Sequence, residues 1–455
     1  MTDSVKSADG LIRSAAKYSL GTTLYKLHVL LVLPIFVFAY SETEMGSLEL
    51  ALFVGGLAIA LASFNLQAVV SHRYALSPAE RRPIVAAQGL VSMATMTGVA
   101  LVVSGFIVAA QSFLVPEIGD RSVLLVAVLV GSSLSALSGN CSVLFQLRSK
   151  PRWFNRLYLS WALIVLSGTA AAAMASDGAE GYAFSMIVAG IVSIGLTVVG
   201  LRAEIRSMRR EPHWGTDLAA VVRSDIRRGA TLLPLMLLGW LLLTVDRKIL
   251  SVRADLAEVG IYGAAVRIAN AVTVVLGPLQ VAWWDIAMNR DEADVPGFLR
   301  RLLWLQGLGT LLFVSGAVVA GQGPIPALLG DWFQPGIRLV PTLVICATLL
   351  SGYVIPSALL TKDGRFRAMT AAYAAAVAAN LTLNLVLAGP YGAVGATFAN
   401  LVSYFLLTAL TWLPVRSVLR EATSGQALRI AAPYGISLVL ALSALLIPSL
   451  VLTGW

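Results

Sequence analysis

Runs of about 20 predominantly apolar residues, long enough for a helix to cross the ~30 Å hydrocarbon core of a bilayer, recur thirteen times along this chain. They fall at 20–40, 48–71, 84–113, 121–147, 156–176, 182–202, 229–251, 258–288, 302–320, 339–361, 367–388, 391–415 and 430–452. Hydrocarbon offers no partner to a backbone N–H or C=O, so each run must satisfy its own hydrogen bonds as a helix. The expected class is an all-α polytopic membrane protein. Composition agrees: 58% of the 455 residues are hydrophobic and 13% charged, against about a quarter charged in a soluble domain.

The net charge of +9 would suit a nucleic-acid binder if it were clustered, but the basic residues sit in alternate loops. With the N-terminus inside, the inner segments hold 26 Lys and Arg and the outer loops only Arg121, Arg253 and Arg338. The positive-inside rule therefore places the N-terminus in the cytoplasm, and no nucleic-acid partner is expected. The first apolar run follows a basic stretch, yet "FVFAYSE" lacks a small-x-small cleavage pattern, so the run reads as a retained span. Cys141 and Cys346 both lie in apolar spans, and His28, His72 and His213 are far apart. Neither a disulfide framework nor a metal or cofactor site is expected.

The longest inner loop, "RAEIRSMRREPHWGTDLAAVVRSDIRRG", divides the chain into two six-span halves. The expected domains are a bundle over 1–202, a basic cytoplasmic linker over 203–228, a second bundle over 229–416, and an additional peripheral helix within 417–455. A weak repeat supports the duplication. Glu44-Met45-Gly46 and Glu258-Val259-Gly260 each open the second span of a half, and each of those spans ends in Leu-Gln. Duplicated halves of this kind build transporters with a central site.

Three segments carry a resemblance to a known family. "TVDRKILSVRADLAEVGIYGAAVRIANAV" resembles a flippase pattern in which an Asp-bearing span end precedes Gly-x-Tyr and a small-residue helix. "KDGRFRAMTAAYAAAVAANLTLNLVLAGPYGAVGATFANLVSYFLL" resembles the late spans of the same proteins, with an Asn-x-x-x-Asn helix and a Tyr-Gly-x-x-Gly-Ala turn. "SETEMG" resembles their acidic loop after the first span. The family is the O-antigen and exopolysaccharide flippases of the multidrug/oligosaccharidyl-lipid/polysaccharide exporter superfamily, and the resemblance covers about residues 15–415. It implies two six-helix bundles in a V shape that carry undecaprenyl-diphosphate-linked oligosaccharide outward by alternating access. The chain departs from it in its thirteenth span and in a first half poor in buried cations.

Cations at membrane depth cost roughly 2.5–3.5 kcal/mol each on insertion scales, so their positions are informative. In the eighth span, taken as one helix, Gly260, Gly263, Arg267, Asn270 and Asp285 share a face, and Arg267 lies roughly 9 Å outward of the centre. A lipid-facing stripe would not concentrate such residues. Asp246, Arg247 and Lys248 share the layer of Arg267, where one acid against three cations leaves positive charge for a diphosphate. Asp246 is expected to pair with one of its neighbours, as a structural ion pair. Lys26 could mark the inner end of the same path, or snorkel to the surface. Asn270, Tyr373, Asn380, Asn384, Asn400 and Tyr404 supply uncharged groups for sugar hydroxyls, or alternatively glue between helices.

No nucleophile with a base, carboxylate pair or phosphate-cradling loop is present in the pattern, so an enzyme is not expected. The leading expectation is a flippase in the bacterial inner membrane, acting on a polyprenyl-diphosphate-linked glycan among membrane lipids, with polymerase machinery as a further partner. A drug–cation antiporter of the same superfamily is the alternative, although the first span holds Lys and His but no acid. A membrane glycan polymerase would need a large outer loop, which the chain lacks.

Overall fold

The computed structural model describes residues 8–175, 178–210, 214–289, 295–321 and 331–446. Among these, every regular element is a helix, and each of the thirteen apolar runs coincides with helix. The end of the thirteenth run (447–452), half of the loop 321–338 and linker residues 211–213 lie outside the described residues. Among the described residues, ten helices are long and apolar enough to cross a membrane, or eleven if the bent pair Leu218–Ala230 and Leu233–Arg253 counts as one span. Thr23–Ala39 is a shorter apolar helix. One of the ten, over Phe366–Thr423, contains both the eleventh and twelfth apolar runs, broken at Gly392.

The helices form two compact units. The first takes Met1–Val32 and Leu50–Trp240, the second Leu33–Glu49 and Leu241–Trp455. The linker helices Arg202–Arg209 and Trp214–Ala230 thus belong to the first unit. The sequence 33–49, at the end of the first helix and the start of Glu42–Ser63, belongs to the second.

Close packing within the first unit rests on small residues. A Cβ on Gly168 would lie 2.7 Å from the Ser185 side chain, and one on Gly131 would lie 2.8 Å from that of Met186. Without a hydrophobic drive between helices in lipid, such notches supply the van der Waals contact that holds them. In "GSSLSALSGNCS", Ser132, Ser133 and Asn140 are fully buried, and Asn140 accepts a 2.9 Å bond from Gln67. The linker is anchored rather than free. Asp225 accepts from Arg73 at 2.9 Å and from Ser92 at 2.8 Å, while Glu204 takes Arg148 at 3.0 Å and Lys150 at 2.8 Å. Burial disfavours the Glu204 anion, but hydrogen bonds from Lys150 and Arg148 outweigh it and hold the carboxyl below its usual value.

The additional helix Ala427–Leu446 buries Ser437 and Ala441 against the second unit. Tyr434 donates to the Leu303 carbonyl at 2.8 Å, and Thr342 donates to that of Ala441 at 3.1 Å. Its other face exposes Ile436, Leu438, Val439 and Leu446, as a lipid-facing surface would.

Candidate functional site

The site begins with two glycines. Gly46 and Gly260 are the repeat-related positions noted in the sequence, and they mark a close crossing of Glu42–Ser63 with Leu256–Ala269 in the second unit. A Cβ on Gly46 would run into the Leu256 carbonyl oxygen, and one on Gly260 into that of Glu42. One turn along each helix, the carboxylate of Glu49 lies over Gly263, whose missing side chain makes room for it. Asp255 caps the second helix by accepting from the Glu258 N–H at 2.8 Å, which fixes its first turn.

Glu49 is almost wholly buried and bridges two guanidiniums. Its Oε1 accepts from Arg267 Nε at 2.7 Å and Nη2 at 2.6 Å, and its Oε2 accepts from Arg247 Nε at 2.9 Å. Arg267 also lies over the Phe36 ring, 5.2 Å from its centroid. Arg247 reaches Asp246 Oδ1 at 3.2 Å and the Leu243 carbonyl at 3.0 Å, and stands 5.9 Å from the Tyr262 ring centroid. Both arginine side chains are 12% exposed. A fork shared with a carboxylate is the strong form of ion pair.

The second oxygen of Asp246 opens a chain of amides. It accepts from Tyr262 OH and, at 2.9 Å, from Asn400 Nδ2. Asn400 Oδ1 takes Asn380 Nδ2 at 2.7 Å, and Asn380 Oδ1 takes Asn384 Nδ2 at 3.1 Å. Because Asp246 Oδ2 takes the Asn400 amide N–H, it orients Asn400, which orients Asn380 and then Asn384. Asn384 Oδ1 ends the row, buried and with no donor.

Seven of the expected site residues lie in this neighbourhood of one unit, and Arg247, Arg267, Asp246, Asn380, Asn384 and Asn400 are directly linked. Tyr404 is buried and donates to the Leu242 carbonyl at 3.3 Å. Tyr373 packs edge-on against Tyr353 with centroids 5.4 Å apart. Lys248 is half-buried beside the cluster, and Lys26 belongs to the first unit.

Two expectations need correcting. The layer holds two acids rather than one, because Glu49 joins Asp246; the two guanidiniums are matched, Lys248 is the third cation, and Arg267 meets a fixed acid. The sequence signal for Glu49 is an acid one residue inside an apolar run, where it is as costly as a cation. Second, the eighth span is not one helix. It breaks at Asn270, where Ala271 N–H bonds back three residues to Ile268 and Thr273 Oγ1 ties to the Asn270 carbonyl at 2.7 Å. Asn270 is exposed at this break, so the 3.6-residue repeat that starts at Gly260 does not run on uninterrupted.

This helical architecture recurs in solved transporters. A multidrug resistance MATE family transporter of the MOP superfamily, inward-facing, matches 88% of this chain and 96% of its own at 12% identity, with a TM-score of 0.66. The lipid II flippase MurJ, inward closed, matches 95% of this chain and 97% of its own at 11% identity, with a TM-score of 0.67. The Vibrio cholerae MATE transporter VcmN in its bent form matches 91% and 97% at 14% identity, with a TM-score of 0.56. The chain has the fold of these transporters. No protein-family model and no curated protein matches it. At such low identity the transporter fold is shared while its side chains have diverged, so the charge cluster must be read from this chain's own residues.

Proposed function

We propose that the protein is a flippase that moves a polyprenyl-diphosphate-linked oligosaccharide from the inner to the outer leaflet of the bacterial cytoplasmic membrane by alternating access. The observation that carries this reading is the convergence of Arg247 and Arg267 on one carboxylate. Their donors are already gathered and largely desolvated, and a diphosphate offers several oxygens to replace the two of Glu49. Similarity of fold to a lipid II flippase over most of the chain supports it.

The drug–cation antiporter is the second reading, favoured by the multidrug transporters that share the fold. A cation carrier needs an acid that can release a guanidinium or proton for its cargo. Glu49 and Asp246 are each bonded to arginine, which leaves neither carboxylate free for a cationic cargo. The cluster suits an anion better.

A deletion strain should accumulate lipid-linked glycan on the cytoplasmic face of its membrane, and the wild-type gene should clear it. Arg267→Ala should fold, because Glu49 keeps Arg247, yet fail to clear the intermediate. Normal glycan export in the deletion strain would refute the proposal.

A further inference from the structure

We infer that the second unit carries an outer-face subsite for an acidic sugar of the transported glycan; this rests on the flippase reading and extends it to the substrate's chemistry. The subsite is a hollow of about 520 Å³ lined by Glu258, Arg338, the turn Gly389–Gly392 and the helix end at Leu445 and Leu446. The segments that meet there (253–258, 338 and 389–392) are those that the positive-inside count assigns to the outer side.

Arg338 is one of only three cations in the outer loops. Its Nε is buried with no hydrogen-bond partner, and its guanidinium makes no ion pair among the described residues. A buried N–H without a partner is costly unless a ligand supplies the acceptor. Its acidic neighbour in the hollow is committed elsewhere. Glu258 Oε2 accepts the Ala393 N–H at 2.7 Å, bracing the helix that restarts after Gly392, whose φ of +52° turns the chain. A Cβ at Gly392 would meet the Glu258 carboxylate, so the turn and the acid fix each other.

That bracing presents Tyr391, 61% exposed, at the rim. A bare aromatic ring beside an arginine and a carboxylate matches a pyranose that carries an anionic substituent. The ring covers the apolar face of the sugar, Arg338 takes its carboxylate in a two-point bond, and the second oxygen of Glu258, not used on Ala393, accepts from a hydroxyl. A neutral sugar would leave Arg338 unpaired, which gives the hollow its selectivity.

The test titrates purified full-length protein in detergent with trigalacturonate, with maltotriose as a neutral match and phosphatidylglycerol micelles as a rival anion. Saturable binding of trigalacturonate is expected, with maltotriose at least about tenfold weaker, the worth of one charge-assisted bond. Arg338→Gln should cost about the same factor and Tyr391→Ala several-fold, with melting temperatures unchanged because neither side chain holds the fold. Equal binding of the two trisaccharides overturns the subsite, as does no binding of trigalacturonate, or full binding by both variants. Displacement by phosphatidylglycerol with loss at Arg338→Gln alone would reassign the hollow to lipid headgroups, and also overturns it. Accumulation of lipid-linked glycan in the deletion strain is scored separately, so the subsite can fail while the flippase reading stands, and the reverse.

Discussion

Glu49→Gln is the most informative single change, because it removes one negative charge and almost no volume. The amide can still accept one bond, but neither guanidinium then faces a formal charge at that position. Arg247 keeps Asp246 at 3.2 Å, and Arg267 keeps its place over the Phe36 ring. Removing one partner of a buried ion pair typically costs 3–5 kcal/mol, and a cation–π contact offsets about 1–2 kcal/mol of that when desolvated. A net loss of about 1–4 kcal/mol is therefore expected for Glu49→Gln. Arg267→Gln should cost less, since Glu49 retains Arg247. The double variant should be more stable than the sum of the single losses by about 2 kcal/mol or more, because it strands neither charge. Reversible denaturation of the four proteins in one detergent, followed by tryptophan fluorescence, measures this coupling. Strictly additive losses would show that Glu49 and Arg267 do not act on each other, and the anion-site reasoning would lose its geometric basis.

Other consequences can be checked in the same system. Arg267→Lys should clear lipid-linked glycan only partly, since an ammonium keeps the charge but not the planar two-point match; unchanged export would exclude a bidentate role. Gly46→Ala and Gly260→Ala should each destabilise severely, because the new methyl meets a backbone carbonyl across the helix crossing. Gly98→Ala, with open space around it, should instead stabilise by about 0.5–1 kcal/mol, and thermal melting separates the three. Glu204, whose folded carboxyl titrates below its unfolded value of about 4.5, contributes stability in full above that value and loses it as the pH falls through the folded pKa. The stability gap between wild type and Glu204→Gln should therefore close on acidification; a gap that widens below pH 4.5 would contradict the sign of the shift.

Sequence alone determined the class of this protein, because a bilayer imposes a length and a backbone condition that can be read one segment at a time. Among the described residues the thirteen apolar runs coincide with helix, and the charge between them carries the orientation argument. Depth along a span was also legible, and it brought Asp246, Arg247 and Arg267 into one layer. Which acid meets which cation was not. Glu49 is 198 residues from Arg247 and 218 from Arg267, and only the crossing at Gly46 and Gly260 brings it against them. The break at Asn270 was equally hidden, because helical periodicity assumes an unbroken 3.6-residue repeat and cannot report where tighter three-residue bonds interrupt it. Local pattern fixed which segments are helices; long-range packing, through the absence of two side chains at one crossing, decided which charges pair.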